Sequence, residues 1–580
     1  MRFKFRGNSL HACYNLSMRR LAFALLALAA LACNALTPQA TVQPPTPPPI
    51  ATASPRPTLT PTVAPTETAT PEPTDLYIAP GDVVFHPEPV LYSGDLVSFE
   101  VFAHDGAAMG LASFPVAVYL GEPGEETKIA TARATPYGIG GRLQTTFVWA
   151  WDTAGLQGTQ LLTFVLDPDD EIQTGDENPD NNTLLVPVNL LPSAESPKTS
   201  WLKAESECCI FNYLSNSAAE RDIELIKATA DKAMQYVEGK LGRQQQSRIV
   251  FNLIDRLLGH GGFASDTITI TYIDRDYSGG GLEHVFRHEA IHILDRQGWG
   301  EHPTLITEGL ATYVAGGHFK EEPFEPRMVG VLALDQSIPL TELADNFYPS
   351  QHEIGYLEGA AFIDYLVAAY GWERFMTLLG AFQPADTQSA MLDGGLRLAY
   401  DKSLGEMEAE WLAYLRARPV DPRWQADIAD TVAFYDTVRR YQQAYDPSAH
   451  FLNAWIPDIQ RAVRENITAD YNRHPSSLEN IALETLLIEA DRALEAGDYD
   501  VAGRRLAAVN AVLDAEGNFA ADSLATDYLA LTASALDAGY EPQHIRLDSD
   551  TATITASLAD ESAALIELTL TRMDGVWRMN

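Results

Sequence analysis

A chain of 580 residues is longer than one ordinary domain, and its 46% apolar and 21% charged residues are those of globular protein, not of a disordered chain. With 79 acidic against 40 basic residues the formal net charge is −39, which argues against nucleic acid or anionic lipid as the main partner. The charge names no substrate.

Met18-Arg19-Arg20 precedes an apolar run from Leu21 to Leu31 that ends in Ala30-Leu31-Ala32-Cys33. A basic start, a short apolar stretch and small residues at its end mark an export signal, too short to stay as a membrane-spanning helix. Residues 1–17 read poorly as signal, and Met18 is an alternative start. The final Cys33 makes the segment resemble a bacterial lipoprotein signal, although Ala30 stands where Leu is usual. The resemblance implies cleavage before Cys33, a lipid anchor on its thiol and a location on the outer face of a membrane; an ordinary cleaved signal is the alternative. Loss of residues 1–32 removes five positive charges and leaves −44. Only Cys208 and Cys209 then remain besides Cys33, so no disulfide framework is expected. Adjacent cysteines close only a small strained ring, and two buried thiols are expected.

From Thr37 to Thr74, 38 residues include 12 Pro and 11 Thr. Such a segment has too few large apolar residues to build a core and is expected to remain extended, a stalk within 33–75. Residues 76–192 carry β-branched and aromatic runs bounded by Gly, Pro and Asp: VLYSGDLVSFEVFAHD, FPVAVYLGE, LQTTFVWAWD and TQLLTFVLD. They predict a sandwich of roughly seven strands. The segment closes on DENPDNNTLLVPVNLL, and in this it resembles the immunoglobulin-like, CARDB-like adhesion modules of bacterial surface proteins. That resemblance implies a cell-wall or surface ligand. The acidic stretch Asp167–Asp180 lacks an EF-hand spacing, so a solvated loop is expected over a calcium site.

After Trp201 the pattern alternates. CCIFNYLS and RIVFNLID predict strands, with a helix over about Ala218 to Leu241 between them, and GGFASDTITITYI predicts a further strand. Helices follow through Trp411, and past Pro422 the chain reads as mainly helical to about Ala538. ALEAGDYDVA resembles one tetratricopeptide-type hairpin, but no 34-residue period repeats. The tail predicts three short strands, the last two joined at Asp574-Gly575.

FRHEAIHILDRQ contains His288, Glu289 and His292. Residues four apart on a helix face the same way, so two imidazoles can converge on one ion, with Glu289 beside them to take a proton from bound water. His284 cannot complete the set, because eight residues of helix separate it from His292 by about 12 Å. The third ligand must come from elsewhere. LITEGLATYVAG follows, with Glu308 sixteen positions after His292, an apolar face of Leu305, Ile306, Leu310 and Val314, and Gly309 for close helix approach.

HEAIH with the later TEGLATY resembles the gluzincin metallopeptidases of the MA clan, and in particular their aminopeptidase N-like branch, although Thr307 stands where that branch usually has Asn. The resemblance implies an α+β thermolysin-like zincin domain and one Zn²⁺ held by His288, His292 and Glu308, with Glu289 as general base. A second block, Tyr356-Leu357-Glu358-Gly359-Ala360, matches the branch's Tyr-x-x-Gly-Ala and implies that Tyr356 stabilises the oxyanion. Tyr313, Tyr365 and Tyr370 read as packing residues. The strand GFASDTITITYI resembles the edge strand of the family's cleft, so Gly262, Phe263 and Ala264 are expected to pair with a peptide or protein substrate. The Gly-x-Met-Glu-Asn segment that grips a free α-amine is absent, with GHGGFASD in its region, and endopeptidase activity is expected over aminopeptidase.

The expected architecture is multidomain: an export signal (1–32), a stalk (33–75), an immunoglobulin-like β-sandwich (76–192), a gluzincin domain (193–420), a helical region (421–540) and a small β tail (541–580). The expected activity is zinc-dependent peptide hydrolysis by a tethered, exported enzyme. The competing expectation is a surface adhesion or scaffold lipoprotein with a degenerate peptidase domain.

Overall fold

The computed structural model describes residues 75–579, except 105–109, 137–142, 260–261, 265, 319–320, 349–351, 451–457 and 559–560. The signal, Cys33 and the stalk up to Thr74 lie outside the described residues. Among the described residues no helix is long and apolar enough to cross a membrane.

The N-terminal region is built of eight strands: β1 (Val83–His86), β2 (Leu91–Tyr92), β3 (Leu96–Ala103), β4 (Phe114–Leu120), β5 (Lys128–Pro136), β6 (Leu143–Asp152), β7 (Gly158–Leu166) and β8 (Thr183–Leu191). Their order is β1-β3-β6-β5-β4-β7-β8-β2, so β5 pairs on both sides and carries one layer into the other. The folded sheet closes on one core: Phe99 of β3 meets Phe164 of β7 at 5.4 Å between ring centroids. Phe99, Phe114, Leu143, Leu162 and Phe164 are fully buried, each contributing about 1.5–3 kcal/mol of apolar transfer.

A second sheet holds β9 (Trp201–Glu205), β10 (Cys209–Leu214), β11 (Ile249–Ile254), β12 (Gly262–Ala264) and β13 (Ile268–Thr271) in the order β12-β13-β11-β10-β9. The three central strands run parallel, and β9 and β12 are antiparallel edges. The segment expected as one strand, GGFASDTITITYI, is thus two, turning back on itself before Thr267. Helix α1 (Ala218–Leu241) supplies the crossover from β10 to β11. Ser217 caps its start by accepting the Glu220 N–H, and Gly242 ends it in the left-handed conformation. Ile226, Ala230, Ala233 and Val237 pack into the same core as the sheet's Phe211 and Phe251.

Cys208 and Cys209 are joined by a disulfide, which corrects the expectation of two thiols. The turn leading into β10 is held by Asp231, whose Oδ1 accepts the Cys208 N–H at 2.9 Å and the Ser206 hydroxyl at 2.8 Å. Tertiary contacts therefore fix the local backbone that the ring requires, and neighbour spacing alone could not show this.

Helices α2 (Leu282–Gly298), α3 (Thr304–Ala315), α4 (Phe324–Ala333), α5 (Leu340–Asp345), α6 (His352–Tyr370), α7 (Trp372–Leu379), α8 (Gln388–Tyr400) and α9 (Leu404–Arg416) complete this unit. The C-terminal region is mainly helical, with α10 (Pro422–Tyr445), α11 (Ile459–Glu465), α12 (Leu478–Glu495), α13 (Tyr499–Asp514) and α14 (Ser523–Asp537). Four tail strands follow, not three: β14 (Tyr540–Asp548), β15 (Thr551–Leu558), β16 (Glu561–Met573) and β17 (Val576–Met579). Ile545, Ile554 and Leu570 of the tail share one core with Leu486, Val509 and Leu531 of the helices.

The sandwich docks on the C-terminal region through buried polar contacts. Arg473 binds Asp95 with both guanidinium nitrogens, at 2.6 and 2.7 Å, and Trp149 Nε1 donates to Asp470 Oδ2 at 2.8 Å.

Candidate metal centre

Helix α2 buries two faces at once. Phe286, Ala290, Ile291 and Leu294 enter the core, Phe286 meeting Phe251 edge-on at 4.8 Å. The remaining stripe carries His288, Glu289 and His292, each inside the protein at 12% side-chain exposure or less. Asp295 at the end of α2 pairs with His302 just before α3 at 2.9 Å, and both are buried. This contact folds α3 back against α2. Gly309 then meets Gly359 of α6 so closely that a Cβ at 309 would lie 2.8 Å from the Gly359 carbonyl. Side-chain-free crossing at that point brings Glu308 and Tyr356 to the same place.

The result is a compact set. Glu308 Oε2 lies 3.3 Å from His288 Nε2 and 3.4 Å from His292 Nε2, and the ligand atoms of the three residues lie within 4.8 Å of one another. The imidazoles stand edge to face at 4.9 Å. His284 is not in the group. Two imidazole nitrogens and one carboxylate oxygen around a common point match the chemistry of a zinc site with an open fourth position, so these residues fit that ion.

Electrostatics distinguish the four residues. Burial pushes His288 down to about 4, so its ring is neutral near pH 7. For Glu308, burial opposes ionisation, but the charges and hydrogen bonds of His292 and His288 outweigh it and hold the carboxyl well below its usual range. For His292, burial acts downward and the Glu308 charge more than compensates. Glu289 is different: burial raises it to about 7, against the opposing pull of His292. Its Oε2 is buried with no hydrogen-bond partner.

Strand β12 passes directly over this carboxylate. A Cβ at Gly262 would sit 3.5 Å from Glu289 Oε1 and 3.4 Å from Val285 Cγ1, so glycine leaves that carboxylate uncovered. Arg296, one turn beyond His292, donates to the Ala264 carbonyl at 3.3 Å and fixes the strand's end. Phe263 lies between these two positions and packs against the cluster that holds Leu214, Ile254 and Leu258.

Tyr356 is 3% exposed and stacks on His318 at 3.8 Å between centroids, with 10° between the rings. Its ring lies 6.0 Å from that of His288. Tyr313 points elsewhere, towards Trp372 and Phe324, and the hydroxyls of Tyr365 and Tyr370 go to Glu410.

Two side chains at the centre have no counterpart in the sequence reading. Tyr348 donates its hydroxyl to Glu308 Oε1 at 2.8 Å. His318 lies 5.5 Å from the His288 ring, with Nδ1 3.3 Å from Glu353 Oε1. The available signal for His318 was its place two residues past Gly316, the left-handed end of the helix that carries Glu308.

No family model matches the chain, and no curated protein does. Among solved structures, an aminopeptidase N family protein from Idiomarina loihiensis aligns over 59% of this chain and 69% of its own, at 10% identity and a TM-score of 0.20. A domain described as a "putative cell surface protein" from Methanosarcina acetivorans aligns over 20% of this chain and 92% of its own, at 20% identity and a TM-score of 0.15.

Proposed function

We propose that the chain is a zinc-dependent peptidase, with His288, His292 and Glu308 as ligands. One observation carries this reading: Glu308 Oε2 lies within 3.4 Å of both imidazoles while the neighbouring Glu289 keeps a buried oxygen with no partner. A bound zinc ion would supply Lewis acidity to a carbonyl and lower the pKa of a water in the open position.

The chain's own residues do the rest. Glu289 accepts a proton at Oε2 and returns it to the leaving amine, and a carboxyl raised to about 7 suits a group that works in both directions near neutral pH. Tyr356 donates its hydroxyl to the oxyanion as the carbonyl becomes tetrahedral. Strand β12, an antiparallel edge, offers its open side to an extended peptide through backbone hydrogen bonds. Gly262 lets that peptide lie close to Glu289. Endopeptidase action fits the open edge. Export, a lipid tether at Cys33 and the Thr/Pro stalk would hold the enzyme away from a membrane, where the sandwich takes a surface ligand.

The test is zinc content and cleavage of a broad peptide library by the chain lacking residues 1–32. One zinc per chain, with cleavage lost on chelation and restored by zinc, is the expected result. Stoichiometric zinc without cleavage favours a scaffold with a degenerate peptidase domain, and no zinc at all rejects the ligand assignment. Cys33→Ser in the full chain should release the protein from membranes; retention with a cleaved signal rejects the lipid anchor.

A further inference from the structure

The connection from β7 to β8, residues 167–182, contains seven carboxylates and no basic residue. Part of this charge is used by the loop itself. Asp167, for example, accepts the backbone N–H groups of Glu171 and Ile172 at 2.9 and 2.8 Å. The end of the connection is different.

Three side-chain oxygens there, Asp176 Oδ1, Asn181 Oδ1 and Asn182 Oδ1, are buried and have no hydrogen-bond partner. Asn182 is only 6% exposed. The amide N–H groups beside them are committed to carboxylates: Asn182 Nδ2 donates to Asp176 Oδ2 at 2.7 Å and Asn181 Nδ2 to Asp75 Oδ2 at 2.8 Å. Turning either amide would set its oxygen against a carboxylate, so the orphaned acceptors are not relieved that way. The backbone cannot drift to relieve them either, because the Asn181 and Asn182 carbonyls accept the N–H groups of Ile78 and Leu166. Buried acceptors without donors are costly, and native proteins satisfy them with protein, water or an ion.

We propose that this is a calcium site, with Asp176, Asn181 and Asn182 supplying side-chain oxygens and Asp75 adding charge. The donor set is oxygen only, mixing carboxylate and neutral amide carbonyl, which is the chemistry of Ca²⁺. Zinc prefers nitrogen and sulfur, and Mg²⁺ demands near-ideal octahedral geometry that an irregular loop does not impose. Position gives the site a consequence. Asp75 follows immediately on the Thr/Pro-rich segment and also accepts the Asn178 N–H at 2.9 Å. A bound ion would therefore tie the chain's arrival at the sandwich to the β7–β8 turn. An affinity of about 10⁻⁴–10⁻³ M, that of extracellular calcium modules, is expected.

The experiment is equilibrium dialysis of the chelator-treated full chain against Ca²⁺, with thermal melting in parallel. Wild type should bind one Ca²⁺ and melt about 5 °C higher at ten times the dissociation constant, with a much smaller shift in equal Mg²⁺. Asp176→Ala should weaken binding at least about tenfold, whereas Asp180→Ala, an exposed neighbour, should not. Asn181→Ala repeats the measurement if Asp176→Ala does not fold. No calcium bound by wild type at about 10 mM, ten times the weakest expected constant, would overturn the proposal. So would equal shifts with Mg²⁺, or undiminished binding in a folded Asp176→Ala or Asn181→Ala variant.

Discussion

Among the described residues, two buried groups combine histidine with carboxylates and hold one candidate ligand atom from each residue within 4.8 Å: His288–His292–Glu308, and Asp446–His474–Glu484 in the C-terminal region. They differ in what else reaches them. Glu484 receives the Arg275 guanidinium and the Tyr441 hydroxyl, and Asp446 receives the Tyr277 hydroxyl at 2.7 Å. His474 bridges the two carboxylates; burial acts downward on its pKa, and the charges of Glu484 and Asp446 outweigh that and raise it. An arginine and a histidine raised by its neighbours thus face two carboxylates. At the first group, Glu308 pairs with the two imidazoles and receives the Tyr348 hydroxyl. The difference teaches that the same residue types can be tied up by an arginine and hydroxyls in one place and left mainly to one another in the second, which is what the proposed zinc site needs.

The largest expected effect tests that contrast directly. His292→Ala and Glu308→Ala should each bring zinc content to background and abolish cleavage, each removing one of three protein ligands. His474→Ala should keep one zinc per chain while costing about 3–5 kcal/mol of stability, since it strands buried carboxylates. Loss of zinc from a folded His474→Ala protein would break the comparison.

Glu289→Gln separates holding the ion from using it. Zinc content should stay at one per chain while kcat falls by about 10²–10⁴. Near wild-type turnover would show that the proton goes elsewhere.

The two tyrosines at the centre should split by observable. Tyr356→Phe removes a donor needed only in the transition state, so kcat should fall by about 10²–10³ with little change in KM. Tyr348→Phe removes the hydroxyl that orients Glu308, and zinc affinity should fall by about 10–100-fold. A zinc-replete Tyr356→Phe enzyme losing less than about fivefold in kcat would reject its assignment.

The smallest effect concerns a carboxylate that has neither ion nor bonded cation. Asp470 accepts Trp149 Nε1 at one oxygen, while the other has no partner, and burial raises its pKa to about 6. A folded-state pKa above the unfolded value near 3.8 means that the folded form keeps its proton longer. Its contribution to stability is therefore greatest below about pH 4, declines as pH rises to about 6 and is flat above. Asp470→Asn keeps the acceptor and removes the ionisation, so it should melt a few degrees higher than wild type at pH 7.5 and equally at pH 4. A lower melting temperature at pH 7.5 would show that attraction to Arg256 dominates.

Periodicity made much of the centre legible. His288 and His292 share a helix face by spacing alone, and Leu305, Ile306, Leu310 and Val314 marked the helix that presents Glu308. Tyr348 and His318 were not legible, because each follows a helix end and reaches the centre only through tertiary folding. The Asp446–His474–Glu484 group has no motif at all; its members come from separate segments. In the tail, β14 begins Tyr-Glu-Pro-Gln-His, without alternation and with a proline that cannot donate to a ladder, and its register shifts between Pro542 and His544.

The contact between Gly309 and Gly359 sets a length standard for this centre. Helices α3 and α6 touch there through main chain alone, so no side chain lies between the residues that carry Glu308 and Tyr356. The spacing of Glu308 from Tyr356 is thus set at a crossing of two glycines, and one methyl group at either would force the helices apart.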